Sequence, residues 1–107
     1  MARALKIAVL GGGNGAHAAA ADLAERGHEV RLWRRNAAAL TDTLTLKDAQ
    51  GERRVRIAAA CRDLGEAVRG AELLFMPDPA FTQADNARRL APHLAEGQVV
   101  YLSLIHI

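Results

Sequence analysis

Three small residues stand at the spacing G-x-G-x-x-A directly after a short apolar run: Gly11, Gly13 and Ala16. Glycine at the first position allows a sharp turn, and glycine at the second leaves room for a phosphate to approach the backbone. Asn14 and Gly15 open the segment that follows, where the free N–H groups and the dipole of a helix would attract an anion. The residue types and their spacing therefore predict a site for a phosphate group.

The elements around this turn are those that a dinucleotide site requires. Residues 7–10 form a short apolar run typical of a buried parallel strand, and residues 14–26 form a helix that Gly27 ends. Residues 29–33 then alternate apolar and charged side chains, as a second strand would. A strand, a glycine turn, a helix and a second strand in this order favour dinucleotide binding. The alternative is a tight strand-to-helix turn without a ligand.

The residue after the second strand indicates which dinucleotide binds. Proteins that bind NAD usually carry Asp or Glu at this point, which accepts hydrogen bonds from the ribose hydroxyls. This chain has Arg34, followed by Arg35, and the missing acid also disfavours FAD and S-adenosylmethionine. Because a guanidinium can pair with a 2′-phosphate through two parallel bonds, we expect a preference for NADP over NAD. The alternative is that both arginines are solvated loop charges.

A second loop is expected to reach the same edge of the sheet. Residues 73–76 are an apolar run that predicts the fourth strand, and Pro77 stops it. Asp78 and Pro79 then suit the cap and the first position of the next helix. In a doubly wound sheet this loop lies beside the first turn, so it either lines the cofactor cleft or only connects a strand to a helix.

The rest of the chain supplies further elements of a parallel sheet. Residues 44–47 and 53–57 flank a loop that contains glycine, and they predict a hairpin whose second arm continues into the third strand of the sheet. Residues 63–66 have the form of a capping box. Residues 80–94 predict a helix that Pro92 loosens in its last turn, and a fifth strand follows. The fold class is therefore α/β: a partial Rossmann-like, doubly wound parallel sheet with a β-hairpin insertion.

Composition limits the class and the location of the protein. The 107 residues suit one domain, and a net charge of +2 is too small to imply a nucleic-acid partner. Cys61 is the only cysteine, so no internal disulfide can form, which fits a cytoplasmic location. No signal peptide is recognisable, and no apolar run approaches the length of a membrane span. We predict neither a metal site nor a catalytic residue in this chain.

The last six residues, Leu-Ser-Leu-Ile-His-Ile, do not continue the pattern of the sheet. They resemble a peptide encoded by an adapter that is used in sequencing libraries. We therefore expect a truncated NAD(P)-binding Rossmann domain over residues 1–101 and an artefactual tail over residues 102–107. Ser103 and His106 would then carry no function, although their residue types could do chemistry.

Residues 6–33 resemble the N-terminus of the opine dehydrogenases, the octopine and nopaline dehydrogenase family. The resemblance continues through residues 45–52, 63–71 and 90–100, and the run G-G-N-G-A-H-A together with the hairpin is its most specific part. The N-terminal domains of glycerol-3-phosphate dehydrogenase and ketopantoate reductase are similar. The resemblance is therefore to a group of NAD(P)-dependent oxidoreductases that share this domain.

The resemblance implies an enzyme that uses NAD(P)H to reduce the imine formed between an amino acid and a 2-keto acid. In that family a second, helical domain supplies the catalytic residues and most of the substrate pocket, and this chain has no counterpart of it. Only cofactor contacts are carried over. They are Gly11, Gly13, Asn14, Gly15 and Ala16 at the pyrophosphate, Arg34 and Arg35 at the adenosine ribose, and Asp78 and Pro79 after the fourth strand.

Two functional classes stay open from the sequence. The first is a fragment of an oxidoreductase, which is itself inactive and whose full-length parent acts on a small-molecule substrate. Opine dehydrogenase is the first choice for that parent, and a glycerol-3-phosphate dehydrogenase or a ketopantoate reductase-like enzyme is the alternative. The second class is a complete, non-catalytic NAD(P)-binding or sensor module. Neither class implies a nucleic acid or a membrane as a partner.

Overall fold

A computed structural model describes residues 4–11, 14–34, 41–77 and 80–102 of the chain. Its main sheet has five strands in the order β5-β2-β1-β6-β7, and each pair of neighbours is parallel. Counted along the chain within this sheet, the order is 3-2-1-4-5, which is that of a Rossmann domain. The predicted fold class is therefore confirmed. The strands are β1 (Lys6–Leu10), β2 (Glu29–Trp33), β5 (Ala59–Cys61), β6 (Leu73–Met76) and β7 (Val99–Leu102).

The central strand β1 is apolar on both faces because both faces of the sheet are covered. Ile7 and Val9 belong to one buried cluster, whereas Ala8 and Leu10 belong to a second cluster on the other face. All four side chains are at most 2% exposed. A continuous apolar run is what a parallel strand with two covered faces requires.

The first helix, α1 (Asn14–Glu25), covers one face of the sheet. Ala16, Ala20 and Ala21 on this helix are fully buried in the cluster that contains Ile7 and Val9. Their small side chains allow the helix backbone to lie close to the strands. Gly27 follows the helix with a φ of 97°, a left-handed conformation that glycine adopts without a Cβ clash, so the predicted helix end is confirmed.

The predicted hairpin is present and packs against α1. Strands β3 (Thr43–Asp48) and β4 (Gly51–Arg56) form a separate antiparallel sheet of two strands. Leu44 and Val55 on the hairpin are buried against the alanines of α1. At the far end of the helix, Arg53 forms an ion pair with Glu25. The hairpin therefore packs beside α1 and shares one buried cluster with the helix and the main sheet.

The expectation that the second hairpin arm continues into the main sheet is wrong. The third strand of that sheet is the short β5, in which Ala60 pairs with Leu32 of β2. Two residues redirect the chain between β4 and β5: Ile57 donates its N–H to Asp42 O, and Ala58 donates to Val30 O, both at 2.8 Å. The sequence gives little sign of this strand because alanine is a poor strand former.

Two shorter helices and a single 3₁₀ turn complete the described part of the chain. Helix α2 (Leu64–Val68) is capped by Asp63, whose carboxylate accepts the N–H of Glu66 at 3.3 Å, as the capping-box pattern predicts. Helix α3 (Ala80–Leu90) passes into a 3₁₀ turn (Ala91–His93) that contains Pro92. The α-helix therefore ends earlier than the predicted residue 94, and its last turn is tightened at the proline.

Candidate functional site

The glycine turn leaves the sheet at the carboxyl end of β1. Gly11 is buried, has a φ of 144° and donates its N–H to the carbonyl oxygen of Trp33 at 2.9 Å. This bond continues the pairing of β1 with β2 for one residue beyond Leu10. The chain therefore stays beside β2 until it turns, and the positive φ explains why the first residue of the turn is glycine. Gly13 lies outside the described residues.

The helix N-terminus lies at the same edge of the sheet. The backbone of Asn14 and Gly15 forms the first turn of α1, only three residues after Gly11. Ala16 is fully buried in the cluster that includes Val9 and Val30, so the beginning of the helix is held against the strands. The unpaired N–H groups of a helix's first turn favour an anion. This geometry suits a phosphate group.

Arg34 follows β2 at the same edge. Its side chain is partly buried, and its Nε has no hydrogen-bond partner among the described residues. Buried donors without a partner are rare in folded proteins and each one calls for an explanation. An anionic oxygen of a bound ligand would satisfy this N–H, since a guanidinium prefers carboxylate or phosphate oxygens. The residues described at this edge therefore fit a phosphorylated dinucleotide.

The fourth strand ends at the same edge of the sheet. Strand β6 pairs with β1, with Phe75 opposite Val9, and Pro77 is buried directly after it. Helix α3 then begins at Ala80. Asp78 and Pro79, like Arg35, lie outside the described residues. The structure thus brings together the ends of β1, β2 and β6, to which these predicted residues are joined.

Sequence reasoning missed a further arginine at this edge. Arg62 directly follows β5, and its carbonyl oxygen accepts the indole N–H of Trp33 at 3.2 Å. Its exposed side chain lines a cleft of about 580 Å³ together with Thr41, Asp42 and residues 58–60. An arginine directly after a strand of the main sheet is the signal that could have identified Arg62. The sequence pattern, however, predicts the third strand as a continuation of residues 53–57.

His17 contacts the hairpin. It lies in the first turn of α1, from which the sequence allows it to reach a cofactor. In the structure its Nε2 is 3.3 Å from the carbonyl oxygen of Thr45 on β3. The hydrogen bond connects α1 to the hairpin and gives His17 a structural contact.

The described residues offer no obvious catalytic nucleophile or metal centre. Cys61 is 2% exposed, and burial together with the nearby Glu66 carboxylate raises the pKa of its thiol. The thiol is therefore protonated at neutral pH and shielded from reagents. Within the described ranges, no group of three or more His, Cys, Asp and Glu side chains could hold a metal ion. No helix there is long and apolar enough to span a bilayer.

Comparison with known proteins identifies the family. The family model of the NAD-dependent glycerol-3-phosphate dehydrogenase N-terminus matches residues 6–105. The chain belongs to this family. The match covers the glycine turn, the hairpin and all five strands of the main sheet, so it includes each element that forms the candidate site.

Curated relatives of this N-terminal domain include two kinds of dehydrogenase. A glycerol-3-phosphate dehydrogenase [NAD(P)+] from Nitratidesulfovibrio vulgaris (strain DP4) is 37% identical over 103 residues, which cover 90% of this chain and 30% of the relative. An opine dehydrogenase from Arthrobacter sp. (strain 1C) is 33% identical over 108 residues, which cover 90% of this chain and 28% of the relative. The chain therefore spans less than a third of the length of these relatives.

Solved structures give the same result for the fold. Octopine dehydrogenase with NADH and L-arginine superposes with a TM-score of 0.72 at 25% identity, over 92% of this chain and 28% of that one. A ketopantoate reductase from Ralstonia eutropha JMP134 superposes with a TM-score of 0.74 at 27% identity. The superposition covers 90% of this chain and 33% of the reductase. The predicted resemblance to the N-terminal NAD(P)-binding domain of these oxidoreductases is confirmed. The boundary after residue 101 and the origin of the tail stay predictions.

Proposed function

We propose that this chain binds a nicotinamide dinucleotide across the carboxyl edge of its main sheet, as the cofactor-binding domain of an NAD(P)-dependent oxidoreductase. The observation that carries the proposal is the buried Nε of Arg34, which has no described partner and lies one strand away from the turn at Gly11. A phosphate-binding turn beside an unsatisfied guanidinium is a combination that a phosphorylated dinucleotide fits well.

The pyrophosphate would lie over the glycine turn. Gly11 sets the sharp turn, Gly13 gives the pyrophosphate access to the backbone, and Ala16 keeps the helix close to the strands. Asn14 and Gly15 would present backbone N–H groups to the pyrophosphate oxygens. The buried position of Ala16 and the positive φ of Gly11 support these roles.

Arg34 and Arg35 would contact the 2′-phosphate of the adenosine ribose, so that NADP is preferred over NAD. Each added charge-assisted hydrogen bond to the phosphate stabilises the NADP complex, whereas NAD leaves the guanidinium without that partner. Asp78 and Pro79, in the loop between β6 and α3, would line the cleft on the other side of the glycine turn.

The proposed reaction of a full-length protein that carries this domain is hydride transfer involving the nicotinamide ring. The residues of this chain bind and orient the dinucleotide, and the groups that contact the substrate lie in the remainder of such a protein. Reduction of an imine between an amino acid and a 2-keto acid is the first candidate, supported by the opine dehydrogenase relative and by octopine dehydrogenase. Glycerol-3-phosphate oxidation is the second, favoured by the family model and by the 37% identity.

Several further properties belong to the same proposal. Residues 1–101 would form the dinucleotide domain, and residues 102–107 would be foreign to it. We expect a cytoplasmic location, since Cys61 is a buried, unreactive thiol with no partner cysteine in the sequence. The partners would be the dinucleotide and, for the full-length protein, a small-molecule substrate, without a nucleic acid or a membrane.

Fluorescence titration with NADPH and NADH tests the binding proposal. Trp33 is the only tryptophan and directly precedes Arg34, so its emission reports on the site. We expect tighter binding of NADPH and a loss of this preference in Arg34→Gln. The exposed Arg54 on the hairpin provides a matched control, since Arg54→Gln removes the same charge away from the site. If neither dinucleotide binds while circular dichroism shows a cooperative melt, the proposal is wrong.

A second experiment separates the two substrate classes. A full-length protein that carries this domain is assayed for NAD(P)H oxidation with pairs of amino acids and 2-keto acids, and for NAD(P)+ reduction with glycerol 3-phosphate. Turnover of the first mixture supports the opine dehydrogenase assignment, and turnover of the second supports the family-model assignment. The 107-residue chain alone is expected to show no turnover in either assay.

A further inference from the structure

Arg34 and Arg62 emerge side by side from neighbouring parallel strands. Trp33 is paired with Cys61 in the register of β2 and β5, and each arginine is the next residue along its strand. Adjacent strands lie about 4.8 Å apart, so the two backbones begin close together at the carboxyl edge of the sheet. The topology therefore places the backbones of Arg34 and Arg62 side by side, although the two residues lie far apart in the sequence.

The backbone of Arg62 is fixed while its side chain stays accessible. Trp33 is 8% exposed and donates its indole N–H to the carbonyl oxygen of Arg62 at 3.2 Å, which holds the strand end against β2. The Arg62 side chain itself is exposed. The neighbouring alanines of β5 leave open the cleft of about 580 Å³ that it lines. A ligand can thus reach the guanidinium without displacing packed side chains.

The acidic groups near Arg62 already have partners. Asp63 caps helix α2 by accepting the N–H of Glu66 at 3.3 Å. Asp42, across the cleft, accepts a hydrogen bond from Thr43 at 3.4 Å and lies 3.8 Å from Arg56. In the described part of the chain, no ion pair to Arg62 or to Arg34 is found. The two arginines follow paired residues on neighbouring strands, so a dianion bound at this edge would be attracted by both positive charges.

We propose that Arg62 is a specificity-determining residue that binds the 2′-phosphate of NADP together with Arg34. The inference rests on the proposed function, because it concerns the same cofactor. A phosphate monoester carries close to two negative charges at neutral pH and offers three acceptor oxygens, so it can accept bonds from two guanidinium groups at once. NAD has no phosphate at this position and gains nothing from the second arginine.

The test compares Arg62→Gln, Arg34→Gln, the double variant and the control Arg54→Gln by titration with NADPH and NADH. We expect Arg62→Gln to weaken NADPH binding about tenfold and to change NADH binding less than twofold. The salt dependence of NADPH binding should also become shallower, because one phosphate contact is lost. Since the Arg62 side chain is exposed, the melting temperature should stay within about 2 °C of the unchanged chain. Arg62→Lys keeps the charge, so its affinity for NADPH should lie between that of the unchanged chain and that of Arg62→Gln.

The possible outcomes separate this inference from the proposed function. A normal NADPH preference in Arg62→Gln, combined with a lost preference in Arg34→Gln, overturns the role of Arg62 and leaves the cofactor site intact. Equal weakening of NADPH and NADH also overturns it, because Arg62 would then contact a part that both cofactors share. A folded, unchanged chain that binds neither dinucleotide removes the proposed function, and this inference with it.

Discussion

The close approach of α1 to the sheet can be tested by enlarging one buried alanine. Ala20 is fully buried, and it belongs to the cluster that contains Ile7, Val30 and Leu32, each at most 2% exposed. Ala20→Leu adds three carbon atoms where no exposed volume remains. If they could be accommodated, each would contribute about 0.8 kcal/mol of burial, but overpacking a filled core typically costs about 1–3 kcal/mol. We expect the second effect to dominate.

The matched control is Ala18→Leu, because Ala18 is exposed on the same helix. Alanine and leucine have similar helix propensities, so the difference between the two variants isolates the contact with the sheet. A loss of about 2 kcal/mol would lower the melting temperature by roughly 8–16 °C in a domain of this size. Urea unfolding followed by circular dichroism measures the change in the free energy of unfolding.

The same variant links packing to binding. Displacing α1 from the sheet would also move its first turn, so Ala20→Leu should weaken NADPH and NADH equally, unlike the arginine variants. The reasoning is refuted if Ala20→Leu and Ala18→Leu are equally stable, since α1 could not then be packed closely on the strands.

Three further predictions concern stability. Asp63→Ala should lower the free energy of unfolding, measured in urea melts, by about 1 kcal/mol, because it removes the cap of α2. Asp63→Asn should retain most of the stability, because asparagine also caps helices. Gly27→Ala should lower the free energy of unfolding by about 1–2 kcal/mol, because the φ of Gly27 is +97°, although an added Cβ would meet nothing within 4 Å. Gly27→Asn should lower it less, since asparagine tolerates this conformation better, and equal losses in the two variants would contradict the conformational explanation. The raised pKa of Cys61 means that the unfolded chain releases this proton first, so the free energy of unfolding should fall as the pH rises above the ordinary value of 9.0; this part of the pH dependence should be absent in Cys61→Ala.

The sequence was sufficient where local chemistry decides the structure. The strand at 29–33, the helix end at Gly27 and the cap at Asp63 agree with the structure because each depends on hydrophobic periodicity or on one residue's conformational preference. The glycine spacing also predicted a turn at the correct edge of the sheet. These are features that a few consecutive residues determine.

The sequence was insufficient where distant segments meet. Strand β5 contains two alanines and a cysteine, and it forms because its backbone pairs with β2 and not because its residues favour strands. For the same reason Arg62 could not be associated with Arg34. Exposure is likewise a tertiary property: Val99 and Tyr101 have strand-forming side chains, yet in the structure they are 60% and 58% exposed.

The arrangement around α1 would keep the proposed anion site ordered on a short sheet. The helix is held by its buried alanines, which pack against both the sheet and the hairpin. Near the first turn His17 contacts Thr45 O at 3.3 Å, and near the last turn Glu25 forms an ion pair with Arg53. Contacts at both ends restrict rotation and sliding of the helix, so its N-terminal N–H groups keep their direction relative to Gly11. Because less order would have to be imposed on binding, more of the interaction energy would be available as affinity for a phosphate.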